Sequence, residues 1–174
     1  MQFPSIPYSF VREQINLSWC DALWGYEHQL FGWSDIVDLA VDRLCSGSDD
    51  MRETELAGMT KTDTSQIGEL LRKLAIASPE EDSISVMKKW LYLVLAWLFE
   101  NKNLFSDPLG EVESIYTNFD YPSEIENFVR YMPVTDGYDP SAHTKDENEN
   151  RLFNHWKNYL DTVQAEFKNT GKVR

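Results

Sequence analysis

The sequence is poor in what most recognisable chemistry needs. It has two cysteines, Cys20 and Cys45, and no CxxC pair. A disulfide framework is therefore not expected, and a reducing, cytoplasmic setting is. Its three histidines, His28, His143 and His155, are widely scattered. There is no HExxH, no Walker loop, no GxGxxG and no GxSxG, so no catalytic residue, metal or cofactor is assigned. "DENEN", Asp146 to Asn150, lacks the glycine and the closing glutamate of a calcium loop, and reads as charge at a helix N-terminus. The longest apolar run, "WLYLVLAWLF" from Trp90 to Phe99, is too short to span a bilayer and is bounded by Lys88, Lys89 and Glu100. The N-terminus, "MQFPSIPYSFVREQ", has neither the basic nor the apolar region of a signal peptide. Bases are scarce: 16 against 29 acids, a net charge of −13. That balance argues against unassisted binding to nucleic acid or to an anionic membrane, and suits a basic partner.

Apolar residues are plentiful, at 42% of 174, which is enough for one folded domain. Helix signals dominate and strand alternation is rare. Ser18 with Asp21 predicts an N-cap and a helix from about Trp19 to Phe31, ended near Gly32. Ser34 predicts the cap of a second helix over Asp35 to Cys45, stopped by "SGS". A short helical stretch is expected around Arg52 to Ala57, and another helix from Asp63 or Thr64 to Ala77. "SPEED" signals the next start, with Ser78 as N-cap and Pro79 at N1. That helix runs to about Asn101 and is apolar on every side in its second half. "DPLGEVESIY" and "YPSEIENFVRYM" predict two shorter helices. A turn at Asp136-Gly137 follows, then a Thr144/Glu147 capping box and a long helix over Lys145 to Asn169, ended by Gly171. The expected fold is all-α: an irregular single-domain bundle of six to eight helices around a buried central helix at roughly 83–101.

The stretch "SWCDALWGYEHQLFGWSD", Ser18 to Asp35, holds three tryptophans and three acids. At 100° per residue, Trp19, Ala22, Leu23, Tyr26 and Leu30 share an apolar stripe, which Cys20, Trp24 and Phe31 widen. Most of the aromatic density is thus a buried face, with Cys20 as a small hydrophobe. Asp21 and His28 fall opposite. Glu27 projects into the apolar arc, where a carboxylate needs an ion pair, with Arg12 or Arg43, or else becomes a raised-pKa general acid.

Charge is unevenly laid out. Residues 107–150 carry eleven acids against only Arg130 and Lys145, interleaved with Tyr116, Phe119, Tyr121, Tyr131 and Tyr138. Carboxylates set among tyrosines can mimic nucleic acid or occupy a basic active site.

The segment "DPLGEVESIYTNFDYPSEIENFVRYMP", Asp107 to Pro133, with "INLSWCDALWGY" and "NHWKNYL", resembles a family of small bacterial proteins of unknown function. Its members are similar to immunity proteins of polymorphic and contact-dependent toxin systems. The resemblance implies a protein that binds the C-terminal domain of a cognate toxin, often a nuclease, one to one. It carries over no functional residue.

The expected site therefore rests on charge and aromatic placement. Asp107, Glu111, Glu113, Asp120, Glu124, Asp136 and Asp139 would meet basic toxin residues, and Tyr121 and Tyr138 would serve as anchors. The alternative is a small helical enzyme or ligand-binding protein using a buried Glu27 in a Trp-lined pocket. A third reading, a subunit of a larger assembly, would require an exposed apolar patch.

Overall fold

The computed structural model describes residues 3–170, which form eight α-helices and four short 3-10 helices with no strand among them. The fold is all-α. The described residues divide into two compact units, 3–93 and 94–170, and the division falls inside one helix.

In the first unit, α1 (Tyr8–Gln14), α2 (Trp19–Glu27), α3 (Trp33–Cys45), α4 (Met51–Ala57) and α5 (Thr64–Ala77) precede the first half of α6 (Ser83–Glu100). Helix α1 had no counterpart in the sequence reading. It is secured by Asp35, whose carboxylate accepts from the Tyr8 and Gly32 backbone N–H groups, both at 2.9 Å. That carboxylate joins the starts of α1 and α3. It also moves the N-cap of α3 from Ser34 back to Gly32.

Helix α2 begins at its expected capping box, Ser18 with Asp21, but ends four residues before Phe31. Gln29 adopts a left-handed conformation (φ 60°), and the Leu30 and Phe31 N–H groups then bond to the Gly25 carbonyl at 2.9 and 3.1 Å. Gln is an uncommon residue at such a cap, so the sequence carried no stop signal there. Gly25 itself is required by contact. A Cβ at this position would lie 2.0 Å from the Trp90 ring. The Trp90 indole lies against this bare turn, donates to the Asp21 carbonyl at 2.8 Å, and meets Phe31 edge-on.

Helix α6 does not start at Ser78 and Pro79. Ser78 closes α5, with both its N–H and its hydroxyl bonded to the Leu74 carbonyl, and residues 79–82 are not helical. Asp82 takes over the start, its carboxylate accepting from Ile84 N–H. Beyond that start, α6 is as apolar in space as in sequence: every residue from Trp90 to Ala96 is buried.

In the second unit, the end of α6 is followed by α7 (Pro108–Asn118), a 3-10 helix (Ser123–Phe128), and α8 (Lys145–Thr170). "YPSEIENF" thus forms a tight 3-10 helix in place of an α-helix. It buries only Ile125 and Phe128, three residues apart, the spacing that eclipses on a 3-10 turn. Trp156 of α8 is fully buried, parallel to Phe128 at 6.1 Å and edge-on to Phe99 at 5.0 Å. The Thr144/Glu147 capping box forms as expected. The expected stop at Gly171 lies outside the described residues.

Candidate functional site

Two carboxylates of α2 exchange their expected places. Glu27 is exposed and pairs with Arg72 of α5 at 3.3 Å. It meets neither Arg12 nor Arg43, and it does not sit in a Trp-lined pocket. Asp21, expected on the polar face, is fully buried. The reason is tertiary: Lys89 and Trp90 of α6 cover the side of α2 that a helical wheel leaves to solvent. Lys89 Nζ donates to both Asp21 oxygens, at 3.1 and 2.8 Å, and to Glu81 at 2.6 Å. Burial pushes the Asp21 carboxyl up, while Lys89 and the Ser18 N–H pull it down. Burial opposes the charge on Lys89, but its bonds to Asp21 and Glu81 carry it above its ordinary value. This buried ion pair fastens α2 to α6. Cys20 is half-buried beside it, its thiol pushed up by burial.

The acids of 107–139 fall into two groups. Asp107 caps α7 through Gly110 N–H and also receives the Arg130 guanidinium at 3.0 and 2.8 Å. Glu113 takes the rest of that guanidinium, at 2.7 and 3.2 Å. Arg130 holds the Asp107 carboxyl below the usual range, and Glu113 first, then Asp107, raise Arg130. Asp136 is bound by Arg151 at 2.5 Å and is lowered by it. Asp139 caps the 3-10 turn at Ser141 and is lowered by that residue's hydroxyl and N–H. Glu111, Asp120 and Glu124 form no ion pair among the described residues, and the latter two are exposed.

The two expected anchors also differ. The Tyr138 ring stacks on His143 (4.6 Å) and carries the Arg151 guanidinium (4.3 Å), and its hydroxyl donates to Asn148. Its ring and its hydroxyl are both engaged inside the protein, so Tyr138 builds a wall. Tyr121 is 57% exposed and touches Tyr116 edge-on, while Tyr116 also meets Tyr131, itself 59% exposed. Asp120 and Tyr121 both have left-handed backbones, at φ 59° and 57°. They lie past the end of α7, where Tyr121 N–H closes onto the Tyr116 carbonyl. Glycine is the unstrained choice at such positions, and a bulky residue there is strained.

Loop 129–140 and the first turns of α8 enclose a cleft of about 740 Å³, lined in part by Arg130, Lys145, Arg151 and His155. This is within the size range of ligand sites. The sequence reading left these four out of the site. Their only signal was that Arg130 and Lys145 are the sole bases of the most acidic segment. Among the described residues, no group of His, Cys, Asp and Glu is arranged to hold a metal, and no helix is long and apolar enough to cross a membrane.

The chain belongs to the DUF2247 family, described as an uncharacterised protein conserved in bacteria, whose profile matches residues 8–164. Neither a curated protein nor a solved structure matches it.

Proposed function

We propose that this protein is an immunity protein that binds and neutralises the C-terminal domain of a cognate bacterial toxin, through the acidic, tyrosine-bearing face of residues 107–139. The observation that carries the reading is the pairing of exposed Tyr121 and Tyr131 with the unpaired carboxylates of Asp120 and Glu124. Tyrosines supply large contact area with few rotors to freeze, and such residues dominate binding energy at interfaces. Unpaired acids beside them steer a basic partner in. Asp107, Glu113 and Asp136, already engaged by arginines, act mainly by shaping this face. A basic nuclease-type toxin is the partner chemistry that a net charge of −13 suits best.

The test is co-expression with the toxin domain encoded beside the gene, scored by growth and by the affinity of the purified pair. Rescue with nanomolar binding is expected. An Asp120→Lys/Glu124→Lys double variant should associate about tenfold more slowly and with a weaker salt dependence. An active toxin that is neither rescued nor bound defeats the reading. Unchanged association by the double variant moves the interface elsewhere.

A further inference from the structure

The cleft beside loop 129–140 has chemistry of its own. Each base on its wall already faces a carboxylate. Arg130 is clamped by Asp107 and Glu113, Arg151 by Asp136, and Lys145 lies 3.7 Å from Glu149. Glu126, also on the wall, has no basic partner among the described residues; it accepts only the Tyr116 hydroxyl, at 3.1 Å. Asp107 and Glu113 hold Arg130 from outside the lining; counting them, three bases are set against five acids, and an arriving anion would find both arginines already engaged. A cation would find a surplus of negative charge in and just behind a recess, where field lines concentrate.

His155 adds an acceptor. Its Nδ1 lies 2.9 Å from the Asn127 carbonyl oxygen. A carbonyl only accepts, so Nδ1 carries a proton, which leaves Nε2 as the lone-pair acceptor of the uncharged tautomer. Val129, Met132 and Leu152 provide apolar lining, suited to a methylene stem.

We infer that this cleft receives a lysine or arginine side chain of the bound partner protein, its stem against Met132 and Leu152 and its charged head among Glu126, Glu149 and His155. The occupant rests on the immunity reading; the chemistry of the cleft is tested without it. At 740 Å³ the space exceeds one side chain, so the flanking backbone of the partner enters as well.

The first measurement titrates the full chain with N-acetyl-arginine N-methylamide and follows amide resonances of Asn127 and Asn148. The glutamate analogue at equal ionic strength is the control. Saturable shifts with the arginine probe alone are expected, weakened severalfold by Glu126→Gln. No shift with either probe, or equal shifts with the glutamate probe, overturns the inference whether or not a toxin partner is found. The second measurement uses the complex. Leu152→Trp, checked for a native helical spectrum, should raise Kd at least tenfold by filling the cleft. Glu126→Gln should raise it severalfold even if the bulkier variant does not fold. A Kd unchanged by Glu126→Gln removes the partner's side chain from the cleft while leaving immunity itself standing.

Discussion

Asp21 and Glu27 occupy one short helix, yet their surroundings assign them opposite values. Asp21 is fully buried with Lys89, which is itself 18% exposed. Removing one member of such a pair strands the other away from water, and Asp21→Asn should cost about 3 kcal/mol. Glu27 and Arg72 are both well exposed and solvent-screened, so Glu27→Gln should stay within about 0.5 kcal/mol. Urea denaturation of the two variants checks both values. Equal losses would mean that Asp21 is not the carboxylate that holds α2 in place. A helical wheel assigns them the other way round, because it gives one solvent side to a helix that α5 and α6 cover on two sides.

At the level of elements, most helix starts were legible because capping is local. Ser18 with Asp21 and Thr144 with Glu147 close on their own backbones, whatever packs above them. Ends were less legible. The stops at Gln29 and Tyr121 place non-glycine residues in left-handed conformations, and no residue preference announces that. The second of these yields a prediction. Tyr121→Gly relieves backbone strain of about 1 kcal/mol and loses an edge-on ring contact of similar size. The melting temperature should therefore barely move, while toxin affinity falls at least tenfold. A variant that melts well below wild type, or one that binds normally, would show that the ring serves packing alone.

For the whole molecule, a charge of −13 is carried by carboxylates that are partly tied to arginines. Asp107 and Asp136 have folded-state values below the ordinary 3.8. Their contribution to stability is present above that value and is lost as pH falls through the lower folded one. Both are largely exposed, so solvent screening keeps each contribution small. An Asp107→Asn/Asp136→Asn variant should be less stable at neutral pH and lose less on acidification. Melting curves across the acid range decide this, and an unchanged acid slope would remove these pairs from the account.

All-α character, the buried run of α6 and the acidic segment were present in the chain order itself, because periodicity, capping and charge count are local properties. The sharing of Arg130 between Asp107 and Glu113, the contact of Arg151 with the Tyr138 ring, and the exchange of Asp21 for Glu27 were decided by tertiary structure alone. Each depends on residues far apart in sequence meeting in space. Which carboxylate is buried, and which is left to meet a partner, follows from what packs against it.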